Sequence, residues 1–304
     1  MKNIQLGLCC LFVEEPVKFR TTTLRYLKTL NRREQLCKLS EICRHNGVEL
    51  LRAVKIVNKL KIKVFRISSA LFPLVTHPEA GYELEELPEC HELFGALEQT
   101  RIFGLEHNMR LSFHPDQFVV PASPNPLVAS ASRRELLHQL RVAELIGANE
   151  INIHMGGVYG DKTAVLQRFR QVFEKLPTGL QQRLTLENDD RSYTVADLIG
   201  LCSDLEIPLV YDVHHHRCNP DSFSVEEATD VASNTWRKNS VTPHFHISSP
   251  RDGWNAKNTR PHADYINPKD FPDCWLEIDV AVDVEAKAKE KAIIKLRAEL
   301  QNAT

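Results

Sequence analysis

Metal-binding side chains stand near the ends of six short apolar segments in the C-terminal two thirds of the sequence. One histidine occurs in each of the segments LSFHP and INIHMGG, and carboxylates occur in LTLEND and LVYDVHHH. Two histidines occur in HFHISS, and a glutamate occurs in VDVEAK. In chain order the residues are His114, His154, Glu187, Asp212, His244, His246 and Glu285. Imidazoles and carboxylates in one set suit manganese, zinc or iron, and a bridging carboxylate allows more than one ion. The pattern therefore predicts a centre for several divalent metal ions.

These segments belong to a regular alternation of short β-branched runs with longer amphipathic stretches. From the third run onward the run ends recur about every 34 residues, which suits a strand, a helix and two loops. Eight such units predict an α/β fold, a single (β/α)8 TIM barrel over residues 1–304, rather than an open sheet. The predicted strands are Gln5–Cys10, Lys63–Ser69, Arg110–His114, Glu150–His154, Arg183–Glu187, Leu209–Val213, His244–Ser248 and Val280–Glu285.

The C-terminal ends of barrel strands form the mouth in which sites are built. A lone histidine there is more often a satisfied loop residue than a ligand, and a lone carboxylate is often a helix cap. Six such residues in six successive units favour a site, because an apolar barrel interior has no structural reason to collect uncompensated charge. His244 and His246 differ by two and are expected to face the same side of their strand. For the triplet His214–His216, spacing alone leaves open which imidazole turns inward.

The composition is that of an ordinary globular protein. The chain has 304 residues, 42% of them hydrophobic and 26% charged, which excludes disorder, collagen and coiled coil. No apolar run is long enough to span a membrane, and residues 4–13 are interpreted as a first strand rather than an export signal. The 8 cysteines lack the spacing of a disulfide framework or a CxxC zinc site, so a reducing, cytoplasmic setting is expected.

The formal net charge of −2 lacks the basic balance common in nucleic-acid binders. Any site for a polyanion must therefore be local, built from bound cations or from a few basic residues. The polar segment Ser249–Asp264, rich in Pro, Gly, Asn and Arg, is predicted to form a long loop over one face of the barrel.

Seven sequence blocks together resemble the UV damage endonuclease family and, more distantly, the endonuclease IV type of apurinic nuclease. The blocks are FRISS, LSFHPDQF, IHMGGVYGDK, LENDDR, YDVHHHRCNP, HFHIS and VEAKAKE, and the resemblance runs from about residue 4 to 290. It implies a TIM barrel with two or three divalent ions, above all Mn2+, with Zn2+ or other divalent ions as alternatives. It also implies damaged double-stranded DNA as substrate, nicked immediately 5′ to UV photoproducts and some other lesions to leave 3′-hydroxyl and 5′-phosphate ends. No obligate protein partner is expected.

The resemblance also implies a ligand set. Glu187 is expected to bridge two ions and to be essential for catalysis. The first ion set is His114, His154 and Glu187, and the second is Glu187, Asp212, His246 and Glu285. The family pattern selects His215 from the triplet and pairs it with His262 at a third ion.

Five further residues are candidates for contacts with DNA, and three of them, Gln117, Phe118 and Lys287, match family positions. Gln117 and Phe118 follow the first histidine and correspond to a pair that probes the duplex where damaged nucleotides have been displaced, and an aromatic ring there can stack on a base. Tyr159 and Arg191 are candidates for contacts with the DNA backbone, with a role in loop structure as the alternative. Lys287 is expected to point the same way as Glu285 and to neutralise a phosphate oxygen, with a solvated lysine at a helix start as the alternative.

The chain departs from the family pattern at the metal site and near the N-terminus. His244 stands where the family has a lysine, so it is expected either to ligate a metal or to line the pocket. Leu8 and Phe12 stand where the family tends to present a tyrosine and an asparagine, and Phe118 replaces a tyrosine. In the loop Ser249–Asp264, basic residues are expected to contact the DNA backbone; they are Arg251, Lys257 and Arg260.

Two other classes of function fit a barrel with such a mouth. A metal-dependent sugar isomerase or epimerase would also place histidines and carboxylates at strand ends, and fold alone does not separate these chemistries. A damage-binding protein that has lost cleavage would have little use for a complete ligand set. The histidine set of His114, His154 and His215 with His262, together with the pair Gln117-Phe118, favours the nuclease over the isomerase or epimerase.

Overall fold

The computed structural model describes residues 2–237 and 241–303. Eight parallel strands close into a barrel in sequence order, each paired with the next and the last paired with the first. The strands are β1 Ile4–Cys9, β2 Val64–Ile67, β3 Arg110–Phe113, β4 Glu150–His154, β5 Leu184–Glu187, β6 Leu209–Asp212, β7 His244–Ile247 and β8 Val280–Val284. The predicted TIM barrel is confirmed, and each predicted strand coincides with an observed one to within two residues at its ends.

Helices follow the strands and cover the outside of the barrel. The α-helices of the described residues are α1 Leu24–Leu27, α2 Arg32–Lys59, α3 Cys90–Glu106, α4 Pro126–Ile146, α5 Lys162–Phe173, α6 Thr178–Gln181, α7 Val195–Leu205, α8 Val213–Cys218, α9 Val225–Arg237 and α10 Glu290–Ala303. Side-chain caps start several of them: Asn31 and Thr194 each form a capping box, and Asp161 accepts the Ala164 N–H. Within the described residues, no helix is long and apolar enough to cross a membrane.

Each strand alternates between an apolar outer face and a polar inner face. The outward residues, such as Phe65 and Ile67 on β2 or Phe245 and Ile247 on β7, are buried in the layer between sheet and helices. The buried polar residues of the strands occupy the alternate, inward positions; they are Arg66, Ser112, Glu150, Asn152, Thr185, Glu187, Asp212, His244, His246 and Asp283. The assumption of an apolar barrel interior is therefore wrong, and the charge that collects there is matched largely by other charge.

The segment after β7 is irregular, as expected of Ser249–Asp264. An isolated bridge between Pro250 and His262 closes it into a loop. Trp254 anchors it by donating its indole N–H to Asp270 at 2.8 Å. This closure carries His262 back to the mouth of the barrel.

Candidate metal centre

Glu187 lies at the centre of the mouth, with imidazoles on both of its carboxylate oxygens. Its Oε2 lies 3.0 Å from Nε2 of His114, 3.3 Å from Nδ1 of His246 and 3.9 Å from Nε2 of His154. Its Oε1 lies 3.2 Å from Nδ1 of His215. The side chain is fully buried. This is the arrangement expected of a carboxylate that bridges metal ions.

Three overlapping groups of side chains at the mouth could each hold an ion, because the ligand atoms of each group lie within 4.8 Å of one another. The groups are His114 with His154 and Glu187, Glu187 with Asp212 and His215, and Asp212 with His246 and Glu285. The first and last groups correspond to the two ion sets that the family resemblance implies. Glu187 and Asp212 connect them.

Several of these ligand atoms are buried without a hydrogen-bond partner among the described residues. They are Glu187 Oε1, Asp212 Oδ2, His154 Nδ1 and His246 Nδ1. Leaving a buried polar atom unsatisfied costs about 1–3 kcal/mol, more for a charged group. The closest separations around Glu187, 3.0 to 3.3 Å, are near the distance of about 3.4 Å between two ligands of one tetrahedral ion. The residues present therefore fit divalent ions.

The protonation of the centre is set by its crowded charges. Burial alone would raise the pKa of Glu187, but His246, His154 and His114 outweigh it and hold that pKa well below its usual range. Burial would lower the pKa of His246, yet Glu187 and Glu285 raise it to about 9. For His154 burial outweighs Glu187, and its pKa is lowered. An ion bound through His246 must therefore displace a proton.

Polar neighbours hold Glu187 and Asp212 in place. The side-chain amide of Asn152 donates to Glu187 Oε2 at 2.5 Å, and the Thr185 hydroxyl donates to the side-chain oxygen Oδ1 of Asn152 at 3.0 Å. Asn188 accepts the Asp212 N–H and donates to the Asp212 carbonyl oxygen, both at 2.9 Å. None of these three supports was predicted from the sequence. Asn152 and Thr185 each precede a candidate ligand by two residues, so strand alternation could have placed them on the inner face.

A short helix selects one imidazole of the histidine triplet. Asp212 caps α8 by accepting the His215 N–H at 2.8 Å, so helical geometry, rather than strand alternation, orients the triplet. His215 faces Glu187, with its Nδ1 3.0 Å from the Asn188 carbonyl oxygen. His214 packs on the Trp254 ring, while His216 hydrogen-bonds a buried tyrosine hydroxyl. The structure thus brings His215 to the centre.

His244 does not face Glu187 but lies deeper in the barrel. Its Nδ1 is 2.8 Å from Glu150 Oε2 and its Nε2 is 3.3 Å from Asp283 Oδ1. Burial would lower the pKa of His244, but these two carboxylates raise it. His244, His246 and Asp283 form a fourth group with ligand atoms within 4.8 Å. The sequence analysis missed Asp283, although its position two residues before Glu285 predicts the same inward face.

The remaining predicted residues of the metal centre lie around Glu285. Arg66 donates to Glu285 Oε1 at 2.6 Å, which makes it an ion-pair residue of the barrel interior. His262 Nδ1 lies 3.5 Å from Glu285 Oε2. Lys287 is exposed and has no ion pair among those of the described residues. The expected strand alternation does not extend to it, because β8 ends at Val284.

Four of the five residues expected to face DNA line one cavity beside the metal centre; Lys287 does not. This cavity, of about 870 Å³, is bordered by Gln117, Phe118, Tyr159 and Arg191. His154, His215 and His262 form part of the same wall. Phe118 and Tyr159 are 76% and 47% exposed. The structure therefore places four predicted contact residues next to three predicted ligands.

Two of the three basic residues in the loop after β7 are already paired. Arg251 lies 2.8 Å from Asp252, and Arg260 lies 3.0 Å from Asp190 across the cavity rim. Exposed pairs of this kind are weak, about 0 to 1 kcal/mol, and can exchange partners.

Comparison with known proteins places the chain in a family. The model of the UV-endonuclease UvdE family matches residues 4–304, and the chain belongs to this family. A UV DNA damage endonuclease of Bacillus cereus (strain B4264) is 33% identical over 291 residues, covering 92% of this chain and 89% of the relative. The crystal structure of SacUVDE superposes with a TM-score of 0.86 at 27% identity and covers 99% of both chains. Endonuclease IV from Thermus thermophilus shares the fold, with a TM-score of 0.60 at 15% identity over 83% of this chain and 94% of that one.

Family membership supports a DNA repair endonuclease and favours it over the sugar isomerase or epimerase alternative. The buried clusters of histidine and carboxylate at the mouth could bind metal ions.

Proposed function

We propose that this protein is a metal-dependent DNA repair endonuclease that nicks the backbone immediately 5′ to UV photoproducts and some other lesions. The products are 3′-hydroxyl and 5′-phosphate ends, and the substrate is damaged double-stranded DNA. Two or three divalent ions, above all Mn2+, are held by the residues around Glu187. The observation that carries the proposal is the fully buried Glu187 carboxylate among four histidines, beside a cavity lined by Gln117 and Phe118.

The ligands would be His114, His154, Glu187, Asp212, His215, His246, His262 and Glu285. Divalent ions bound there supply an activated water, neutralise phosphate oxygens and stabilise the leaving oxygen. The protein's own groups hold the ligands and position the DNA. Asn152 fixes the Glu187 carboxylate, and Arg66 fixes that of Glu285. Phe118 stacks on a base at the lesion, while Tyr159 and Arg191 contact the backbone beside the cleaved bond.

Nicking of UV-irradiated supercoiled plasmid tests the proposal. The parent protein with Mn2+ is compared with Glu187→Gln and with unirradiated plasmid. A matched control is Glu49→Gln, since Glu49 is also buried but lies on α2 and accepts the Lys18 N–H at 2.9 Å. Loss of the bound metal ions would remove several kcal/mol of charge stabilisation in the transition state. The nicking rate is therefore expected to fall at least about 10³-fold in Glu187→Gln and to stay unchanged in Glu49→Gln.

The products distinguish the possible outcomes. Extension by a polymerase and sealing by a ligase report the 3′-hydroxyl and 5′-phosphate, and a sequencing gel locates the nick relative to a defined lesion. Failure of the parent to nick irradiated DNA with any divalent ion would overturn the proposed function, and binding without nicking would indicate a damage-binding protein. Equal nicking by the parent and Glu187→Gln would overturn the site.

A further inference from the structure

A buried chain of charged residues runs from the N-terminal side of the barrel to His246. Arg110 pairs with Glu150, whose other oxygen lies 2.8 Å from Nδ1 of His244. Nε2 of His244 lies 3.3 Å from Asp283 Oδ1, and Asp283 Oδ2 lies 3.6 Å from Nε2 of His246. His244, Asp283 and His246 are at most 2% exposed. Buried groups of this kind need partners, yet Nε2 of His244 and both carboxylate oxygens of Asp283 are held by charge attraction and lack a hydrogen bond among the described residues.

The two ring nitrogens of His246 face different environments. Nε2 faces Asp283, whereas Nδ1 lies 3.3 Å from Glu187 Oε2 and 3.5 Å from Glu285 Oε1 and has no hydrogen-bond partner among the described residues. A neutral imidazole carries its proton on one nitrogen, and the hydrogen bond of that nitrogen decides which one is free to ligate. Asp283 can accept the proton of Nε2, which leaves the lone pair of Nδ1 directed at Glu187 and Glu285.

We propose that Asp283 and His244 are positioning residues, which fix the tautomer and ring orientation in which His246 offers Nδ1 to an ion shared with Glu187 and Glu285. Asp283 Oδ2, 3.6 Å from Nε2 of His246, would accept the proton of that nitrogen after a small approach, and His244, hydrogen-bonded to Glu150, would hold Asp283 in place. This inference rests on the proposed metal centre. It gives His244 a role other than ligation at the position where the family pattern has a lysine.

An ion held by His244, His246 and Asp283 themselves is the competing arrangement. It would require Nε2 of His246 as ligand and would turn the protonated Nδ1 toward Glu187, which removes His246 from the ion at the mouth. Arg66 also lies 3.7 Å from Asp283 Oδ2, so a cation is already present on that carboxylate. The two arrangements predict different numbers of bound ions.

Gly7 provides the space that Asp283 occupies. It lies opposite Asp283 in the pairing of β1 with β8. A Cβ atom at Gly7 would come within 2.3 Å of Asp283 Oδ1 and 2.9 Å of a Val64 methyl group. Gly7→Ala therefore displaces the Asp283 carboxylate without removing any hydrogen-bonding group from the chain.

The test compares the parent with Asp283→Asn, Gly7→Ala and the control Glu290→Gln. Glu290 is also buried but accepts the N–H groups of Val13 and Glu14. Competition with a chromophoric chelator measures Mn2+ and Co2+ affinity, and elemental analysis counts the ions. Loss of an orienting partner of a metal-bound histidine predicts a 10- to 100-fold weaker affinity for one ion in the first two variants, with the ion count at saturation unchanged. Glu290→Gln is expected to bind as the parent does.

Long-range 1H–15N spectra of the ion-free proteins provide a second readout. Because the pKa of His246 is raised to about 9, the spectra are recorded above that pH, where the imidazole is neutral. They are expected to show His246 protonated on Nε2 in the parent, with that preference lost in Asp283→Asn and Gly7→Ala; His246→Gln assigns the signal. Unchanged affinity and an unchanged tautomer would overturn the inference, and so would the loss of one whole ion with the others bound normally, because Asp283 would then be a ligand. A parent that binds no ion would refute the proposed function, while the tautomer measurement would still test Asp283. Thermal unfolding of the ion-free variants checks their fold.

Discussion

Replacement of Phe118 by alanine tests how the protein recognises damage. The ring is 76% exposed at the rim of the cavity, next to Gln117. Because so little of it is buried, Phe118→Ala is expected to change the free energy of unfolding by no more than about 0.5 kcal/mol. A displaced or unstacked base could stack on the ring, so the change is expected to weaken binding to damaged DNA.

The size of the effect follows from the exposed area. An aromatic side chain buries about 200 Å² when it is fully covered, so about 150 Å² of Phe118 remains open at 76% exposure. A base on one face covers about half of this, and about 75 Å² at about 25 cal/mol per Å² contributes about 2 kcal/mol. This value lies within the range of about 1–3 kcal/mol per stacked base. The expected loss of affinity is about 30-fold.

Fluorescence anisotropy with a lesion-containing duplex and its undamaged counterpart measures this loss at one fixed salt concentration. The Glu187→Gln background is expected to keep the DNA uncut. Leu127→Ala is the matched control, since Leu127 is 79% exposed near the start of α4, and Phe118→Tyr should retain the stacking. An equal loss on both duplexes, or a loss no greater than that of Leu127→Ala, would refute the stacking role.

Two further predictions concern stability. Burial lowers the pKa of His138 to about 4, so the unfolded chain takes up a proton near pH 6.5 that the folded protein refuses. The free energy of unfolding should therefore fall by about 2 kcal/mol between pH 7 and pH 5 because of this residue. Urea unfolding of His138→Gln should show a correspondingly smaller fall than that of the parent. Equal falls in the two proteins would contradict the role of His138. Arg66→Met leaves Glu285 and Asp283 without their guanidinium, so the ion-free protein should lose about 3–5 kcal/mol in urea unfolding, partly restored by Mn2+; unchanged stability without ions would show that the pairing is not needed.

The sequence was sufficient to predict the barrel and the position of the candidate ligands at the C-terminal ends of its strands. In the six strands from β3 to β8, apolar residues recur at every second position and a histidine or carboxylate stands at or near the strand end. This pattern locates both the strand and the mouth of the barrel. His154 and Glu187 are directly paired in the register of β4 with β5, as are Asp212 and His246 in that of β6 with β7. The C-terminal ends of neighbouring parallel strands lie at the same height in the barrel, so the side chains at these ends come together. For this reason the positions of residues along the sequence were enough to predict a cluster in the folded protein.

Contacts across the barrel could not be predicted in the same way. His215 faces the metal centre because Asp212 caps α8 at this point. Treating His214–His216 as the end of a strand does not predict that helix or its cap. The partner of His244 is Glu150, 94 residues away in sequence, and it lies on a strand that is not adjacent in the barrel. Asp283 lies on β8 and was not predicted because the more conspicuous Glu285 follows it just beyond the end of that strand. Such pairs depend on barrel closure and side-chain length, neither of which is visible in the spacing of residues.

The distribution of charge at the mouth explains how a chain with a net charge of −2 could accept a polyanion. Glu187, Asp212 and Glu285 place three carboxylates at the mouth, and Arg66 compensates one of them. Without ions, the protonated His246 offsets a further carboxylate, so the region has no net positive charge to attract phosphate. Two divalent ions bound there would add four positive charges, less the protons that they displace, so attraction of DNA would depend on ion occupancy rather than on the overall charge. The net charge of the chain is therefore a poor guide to its partner, because the decisive cations are not part of the sequence.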